Sequence, residues 1–339
     1  MIEIDGSSGG GQLLRTGVTI STMTGTPVTI SSIRGDRPEP GLRPQHLAVV
    51  ELLAEICAAE ISSTAVSTTE LTFRPSSIGS GSYEIDVGTA GSVWLVCDAV
   101  LPLALVIKRP LEVTVSGGTD VKWAPTTGYY RLAKLPLLRQ FGLQASIDVD
   151  RYGFYPVGGG RITLRLAPSE WEPLRLPERS RVTGARVASL ASEHLAEASV
   201  AERQAKTVVD GLAARDIPVV ERRVTYGVTD SPGSAVAVAV NSPEGIIGVG
   251  ALGEPGVPSE DVAAQALDEL NGSLESGAAV DAHTADQLMP FLAFTGGAVT
   301  IPELTAHVRS QADVLETLGY PVRPELAGEQ PQLVASSSS

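Results

Sequence analysis

The sequence has 339 residues, of which 43% are hydrophobic and only 4% aromatic, so it encodes a folded protein whose core consists mainly of Val, Leu, Ile and Ala. It lacks both an apolar run long enough to cross a bilayer and the basic and apolar regions of a signal peptide, which predicts a cytoplasmic protein without a membrane partner. The net charge of −14 does not exclude nucleic acid, because we interpret the acidic, lysine-poor surface as an adaptation to high cytoplasmic salt, in which phosphate binding depends on a few well-placed arginines.

A pattern of turn, helix and strand occurs three times along the chain. Each copy begins with a turn that contains Gly or Ser, continues with an apolar run of helical length and ends in alternating β-branched residues. The helices are predicted at 12–23, 93–107 and 284–294, and the strands that follow them at 27–30, 111–115 and 298–301. The second and third copies are much further apart than the first and second, so additional structure lies between them.

That additional structure is predicted to be an inserted α/β domain at 178–275. Residues 168–181 are rich in Pro, Glu and Arg, as is typical of a crossover between domains. Beyond them, strands are predicted at 182–189, 219–226 and 235–240, and helices at 192–215 and 260–274. The prediction is an α+β protein with a discontinuous main domain, 1–177 and 276–339, whose tail at 336–339 is disordered.

Seven segments that carry Gly, Arg or His follow one another in order along the chain: 5–16, 33–37, 40–47, 117–120, 153–156, 283–288 and 304–307. Together they resemble the motifs of the RNA 3'-terminal phosphate cyclases, over about residues 2–320. The resemblance implies three repeats similar to the C-terminal domain of translation initiation factor three, arranged around a pseudo-threefold axis, with a smaller inserted domain.

The resemblance also implies an ATP-dependent enzyme with His307 as its nucleophile. The imidazole would attack the α-phosphate of ATP, AMP would pass to the 3'-phosphate of an RNA, and the neighbouring 2'-hydroxyl would close a 2',3'-cyclic phosphate. Covalent catalysis of this kind suits histidine, whose ring is mostly neutral at cytoplasmic pH. The expected partners are ATP, a divalent Mg or Mn ion and RNA with a 3'-phosphate end, and a homodimer is left open.

The resemblance assigns further residues to the two substrates. The nucleotide would contact His283, Thr284, Ala285, Asp286, Gln287 and Asp98. The RNA and its phosphates would contact Arg15, Arg34, Arg37, Arg43, Gln45 and His46. Guanidinium groups suit this role because they hold phosphate oxygens with two parallel hydrogen bonds. Asp286 is also the candidate metal ligand.

The sequence departs from the family pattern at three places. Ser8 replaces a glutamate, Asp98 replaces an amide, and Ser310-Gln311 replaces Thr-Asn after the nucleophile. A carboxylate at position 98 would repel phosphate unless a cation intervenes.

Other interpretations remain open. Residues 283–287 could simply cap a helix, Arg43 could be an ordinary surface residue, and Gln45 and His46 could be buried polar groups. A non-catalytic, cyclase-like RNA-binding factor is the main alternative for the whole chain, although the presence of His307 favours the enzyme. An enolpyruvyl transferase would share the architecture without histidine adenylation.

Overall fold

The computed structural model describes residues 1–328 and 330–336, in which the strands form four sheets of four strands each. The predicted mixed α+β class is confirmed. Apart from Ser336, the tail predicted to be disordered lies outside the described residues. None of the helices in the described ranges is long and apolar enough to cross a bilayer.

The first sheet contains a βαβαββ unit. Its elements are β1 (Ile2–Asp5), α1 (Gly11–Thr24), β2 (Val28–Ser31), α2 (Pro44–Ile56), β3 (Glu60–Ile61) and β4 (Leu71–Arg74). Strands β1 and β2 are parallel, β4 is antiparallel to both β2 and β3, and the order across the sheet is β1-β2-β4-β3. Helix α1 ends at Gly25, whose left-handed conformation, with a φ of 70°, is one that glycine adopts without strain.

The second sheet repeats this topology. Its elements are β5 (Gly81–Asp86), α3 (Val93–Val100), a 3₁₀ helix (Leu101–Leu105), β6 (Leu111–Gly117), α4 (Thr127–Tyr129), a π-helix (Tyr130–Lys134), α5 (Leu135–Gln140), β7 (Ala145–Arg151) and β8 (Gly160–Leu166). The order is β5-β6-β8-β7, again with the first pair parallel. The helix predicted at 93–107 is therefore shorter than expected, because Pro102 cannot donate the hydrogen bond that would continue the α-helix.

The third sheet starts with β9 (Leu174–Leu176) and is then interrupted by a separate sheet. The interrupting elements are β10 (Gly184–Ser192), a 3₁₀ helix (Glu193–Leu195), α6 (Val200–Ala213), β11 (Val219–Gly227), β12 (Ser234–Asn241), β13 (Ile246–Leu252) and α7 (Ser259–Glu275). This sheet, in the order β11-β10-β12-β13, packs on α6 and α7 around a hydrophobic cluster of its own. The predicted helix at 192–215 starts too early, since Ser199 has a left-handed φ of 50° and α6 begins only after it.

The third unit then resumes. Its remaining elements are α8 (Ala282–Thr295), β14 (Gly297–Thr300), α9 (Ala306–Thr317), β15 (Arg323–Ala327) and β16 (Gln330–Ala335). Strands β9 and β14 are parallel and the order is β15-β16-β14-β9, so the connectivity of the first two units recurs. One hydrophobic core contains side chains from all three units. The domain boundaries at 178 and 275 stay a prediction.

Candidate active site

His307 lies in the first turn of α9, where a polar side chain can approach a neighbouring element. The hydroxyl of Thr305 caps the helix by accepting the N–H of Val308 at 3.1 Å. The imidazole is 52% exposed, and its Nδ1 lies 3.3 Å from Oδ2 of Asp286. When Nδ1–H of the neutral ring donates a hydrogen bond to this carboxylate, Nε2 keeps a lone pair. The contact at Nδ1 therefore orients the ring, and Nε2 remains available to react or to bind a ligand.

Asp286 belongs to the first turns of α8, and its surroundings differ from those of the neighbouring predicted residues. Asp281 caps this helix, and both the N–H and the hydroxyl of Thr284 donate to it at 2.7 Å. Thr284 and Ala285 are buried, whereas His283 is 70% exposed with Nε2 3.8 Å from Glu269. The capping residue of α8 is thus Asp281, which lies outside 283–287, so the interpretation that 283–287 cap the helix is wrong. The nucleotide-binding role of 283–287 stays a prediction.

Lys134 neutralises the carboxylate that departs from the family pattern. It lies on the π-helix, is only 2% exposed, and donates to Oδ1 of Asp98 at 2.5 Å and to Oε1 of Gln287 at 2.7 Å. The hydroxyl of Tyr130 donates to the same Asp98 oxygen at 2.7 Å. The expected repulsion between Asp98 and a phosphate is therefore reduced by a buried lysine. Lys134 is not among the residues that the motifs predict, although a single charge within the apolar run 132–138 was a usable signal.

Three of the four arginines predicted to bind phosphate lie near His46, and the fourth, Arg37, lies near Arg34. The positive charges of Arg15, Arg34 and Arg43 all act on this histidine, and those of Arg37 and Arg43 act on Arg34. Grouping like charges raises the free energy of the protein, and a bound anion would lower it. The arrangement is typical of a site for phosphate.

Backbone carbonyls and one carboxylate hold part of this group in place. Nη1 of Arg34 donates to the carbonyls of Glu39 and Gly41, each at 3.0 Å, and Arg43 forms a salt bridge with Glu39. Gln45 is half-buried and accepts the N–H of Ser92 at 3.4 Å, and its contact with RNA stays a prediction.

His46 is buried in the first turn of α2. Its Nδ1 accepts the backbone N–H of Arg43 at 3.1 Å, and its exposed fraction is 3%. Burial, followed by the charges of Arg15, Arg34 and Arg43, lowers the pKa of His46 to about 3 from an ordinary 6.5. The imidazole therefore stays neutral and acts as a hydrogen-bond acceptor inside a positively charged site.

This low pKa predicts a pH dependence of stability. Between about pH 6.5 and pH 3 the unfolded chain binds a proton at His46 that the folded chain does not, so the free energy of unfolding falls as pH falls, by at most about 1.4 kcal/mol per pH unit. Denaturant titrations at about pH 7.5 and about pH 4.5 should show a smaller loss for His46→Gln than for the unchanged protein. Equal losses would contradict the burial of a neutral ring.

The glycine at the start of α1 allows His46 to approach that helix closely. A Cβ added to Gly11 would lie 1.9 Å from Nε2 of this ring, so only glycine fits. Replacing Gly11 with alanine should lower the free energy of unfolding by about 1–3 kcal/mol, because the buried ring has to move. Gly272→Ala in α7 is the matched control: open space surrounds it, and alanine should stabilise that helix by about 0.5–1 kcal/mol. Equal effects in thermal denaturation would refute the steric explanation.

Arg15 links the arginine group to the two carboxylates. It is half-buried in α1, and burial lowers its pKa while the charges of Asp98 and Asp286 raise it. In the same helix, Nε2 of Gln12 lies 3.4 Å from the carbonyl of His307. The structure thus brings together His307, Asp286, Asp98 and the predicted arginines, which come from all three units.

Comparison with known proteins identifies the family to which these features belong. A family model described as RNA 3'-terminal phosphate cyclase matches residues 7–320. A protein of that name from Halobacterium salinarum is 40% identical over 95% of this chain and 96% of its own length. The proteins of that name from Methanosarcina barkeri and Pyrococcus furiosus are 39% and 37% identical, each over 93% of this chain and over 94% and 92% of their own lengths. The chain belongs to the RNA 3'-terminal phosphate cyclase family. The resemblance of its motifs to those of the family is confirmed.

The departures of this cyclase family member from the motif pattern have defined surroundings. Ser8 is exposed in the loop between β1 and α1, next to Ser7, whose hydroxyl donates to Asp5 at 2.8 Å. The hydroxyl of Ser310 donates to the carbonyl of His307 at 3.2 Å, and the amide of Gln311 donates to the carbonyl of Asp286 at 3.1 Å. Ser310 therefore bonds to the backbone of His307 within α9, and Gln311 joins α9 to the backbone of α8 at Asp286.

A metal ion would find few protein ligands here. In the described part of the chain, no group of three or more His, Cys, Asp and Glu side chains could hold one. Magnesium often binds through one or two carboxylates, with phosphate oxygens and water completing its shell. The residues present fit such an ion only as a companion of bound phosphates.

Proposed function

We propose that the protein converts the 3'-phosphate of an RNA into a 2',3'-cyclic phosphate, using ATP and a covalent histidine-AMP intermediate at His307. The observation that carries the proposal is the half-exposed imidazole with Nδ1 3.3 Å from Asp286, beside the group of arginines. Membership of the cyclase family supports the substrate assignment.

In the first step, Nε2 of His307 attacks the α-phosphorus of ATP. A P–N bond forms, the bond to the pyrophosphate oxygen breaks, and pyrophosphate leaves. Asp286 stabilises the positive charge that develops on the ring, because its carboxylate already faces Nδ1. Arg15, which lies near Asp286, supplies a positive charge where the phosphate charges gather.

In the second step, an oxygen of the RNA 3'-phosphate attacks the same phosphorus. The P–N bond breaks, neutral imidazole is restored, and AMP is joined to the RNA through an anhydride. Arg34, Arg37 and Arg43 would hold the 3'-phosphate for this attack. Bidentate contacts of this kind keep their strength in salt better than diffuse attraction does, which suits an acidic protein.

In the third step, the 2'-hydroxyl of the terminal ribose attacks the 3'-phosphorus and AMP leaves. The hydroxyl loses its proton to solvent, and a five-membered cyclic phosphate forms. DNA lacks this hydroxyl, so RNA is the substrate. A divalent ion carried by the phosphates, with Asp286 as its one protein ligand, would supply charge stabilisation for pyrophosphate release.

The proposed architecture follows the same reasoning. Three units of identical strand order, each contributing residues to one site, support the proposal of repeats similar to the C-terminal domain of translation initiation factor three around a pseudo-threefold axis.

A cyclisation assay tests the function. RNA with a 3'-phosphate end should become resistant to phosphatase when incubated with the protein, ATP and magnesium, whereas DNA with the same end should not. Omitting ATP should prevent the reaction. A protein that binds the RNA but leaves its end sensitive to phosphatase under all salt conditions would instead support the non-catalytic RNA-binding factor.

A further inference from the structure

A cleft with a volume of about 320 Å³ lies between the inserted sheet and the helical segment 127–140. The segment packs on β10, β12 and β13, where small residues permit close approach: a Cβ added to Gly128 would lie 2.5 Å from that of Ala237. Beside β11 the sheet face opens into the cleft. The volume is within the range of ligand sites, about 300–1,000 Å³.

Four arginines line this cleft, although the protein as a whole carries 39 acidic and only 25 basic residues. They are Arg131, Arg139, Arg186 and Arg223. Nη2 of Arg139 donates to the carbonyl of Ala145 at 2.7 Å, so its acceptor is neutral. Guanidinium charges that are fixed by neutral acceptors remain available to attract an anion.

Arg186 is held in the same way. Its Nη2 donates to the carbonyl of Leu132 at 2.5 Å and to Oδ1 of Asn241 at 3.0 Å, while its buried Nε has no hydrogen-bond partner in the described residues. A charged group with an unsatisfied buried nitrogen is costly in free energy, and a bound anion would offset part of that cost.

The acidic groups of the cleft leave it with a positive balance. Two carboxylates, Asp120 and Glu221, line it. The oxygens of Asp120 already accept the N–H of Thr127 at 2.8 Å and its hydroxyl at 2.7 Å. Glu221 pairs with Arg223 at 2.9 Å. Among the described residues, the guanidinium groups of Arg131, Arg139 and Arg186 therefore have no salt bridge to either carboxylate.

An aromatic ring completes the lining. Tyr152 is half-buried against Gly227, where a Cβ would lie 2.7 Å from the ring. A tyrosine ring offers a surface on which a base can stack, and arginines bind phosphate, a combination typical of nucleotide sites. We propose that the cleft is a second nucleotide-binding site, distinct from that around His307, which takes one nucleotide unit with its phosphate.

The two sites share one structural element. The π-helix and α5 provide Lys134, which contacts Asp98, and also Arg131 and Arg139, which line the cleft. The unit in the cleft is either an internal nucleotide of the RNA, in which case the inference rests on the proposed function, or a free nucleotide. The phosphate and base chemistry is the same for both.

Binding measurements on Arg131→Gln and Arg223→Gln test the site. Fluorescence anisotropy would use 3'-phosphate RNAs of about 16 and about 4 nucleotides, and calorimetry would use AMP. Asp98→Asn, which changes the site around His307, is the reference variant for that first site. For an internal RNA unit, each substitution should weaken binding of the long RNA about tenfold, lower its salt slope by about one, and leave the short RNA unaffected. If the cleft instead binds a free nucleotide, each substitution should abolish one of the AMP binding events that calorimetry detects.

Arg222→Gln is the matched control, because it removes the same charge from the same strand at a residue outside the cleft lining. Labelling of the protein by ATP in the absence of RNA reports the proposed first step separately and should be unchanged in all three variants. The site is refuted if Arg131→Gln and Arg223→Gln both bind long RNA and AMP as Arg222→Gln does.

Discussion

Replacing His307 with alanine should abolish the transfer of radioactivity from α-labelled ATP to the protein. No other group would form the phosphoramidate bond, so the single-turnover rate of labelling should fall on the order of 10⁴-fold or more. The label on the unchanged protein should be acid-labile, as a P–N bond is, and should be released by RNA with a 3'-phosphate. Gel autoradiography after incubation with magnesium or manganese measures both properties.

His283→Ala provides the matched control for this experiment. That histidine is 70% exposed at the start of α8, close in sequence to Asp286 but 3.8 Å from Glu269 of α7. If it only lies near the nucleotide, labelling should persist with at most a change in the ATP concentration that is needed. A His307→Ala protein that still takes up acid-labile label would eliminate the proposed nucleophile, whatever its effect on cyclisation.

Replacing Lys134 with methionine should produce the largest loss of stability. The ammonium group and the carboxylate of Asp98 are 2% and 12% exposed, so removing one leaves a nearly buried charge with the Tyr130 hydroxyl as its remaining donor. Breaking a buried pair in this way costs about 3–5 kcal/mol. Urea denaturation followed by circular dichroism should report that decrease in the free energy of unfolding.

Two further variants separate charge burial from loss of side-chain volume. Lys206→Met removes an exposed partner of Asp210 and should cost less than about 0.5 kcal/mol. Adding Asp98→Asn to Lys134→Met should restore part of the stability, since it removes the unpaired charge and supplies the amide of the family pattern. Lys134→Met with the stability of Lys206→Met would show that the pair is not an important contact.

The sequence predicted the elements with local signals and missed those determined by packing. The three turn-helix-strand copies were recognisable because apolar runs of helical length and alternating β-branched residues are local patterns. The π-helix at Tyr130–Lys134 was not, because nothing in its composition distinguishes it from an α-helix. That turn places Lys134 beside Asp98. The isolated charge of Lys134 is visible in the sequence, but its pairing with Asp98 depends on this packing and is not.

The candidate site was predicted as a set of residues, and its geometry was not. Arg34, Arg37 and Arg43 are close in sequence, so their grouping required no long-range information. The contact of His46 with Gly11 depends on how α1 and α2 pack, and the nearness of Arg15 to Asp98 and Asp286 depends on how α1 packs with α3 and α8. Spacing along the chain does not encode such packing, which is why the neutral state of His46 becomes evident only in three dimensions.

Two connecting segments, which lie side by side, join the inserted sheet to the third unit. The N–H of Arg179 donates to the carbonyl of Gly277 at 2.9 Å, so the chain enters and leaves the inserted sheet at adjacent positions. Pairing β9 with β14 would otherwise require closing a loop as long as the whole insert, at an entropic cost that grows with length. If the insert folds first, its two ends are already held together and the loop that remains to be closed is short. We therefore expect the third unit, which contains His307, to assemble after the inserted sheet.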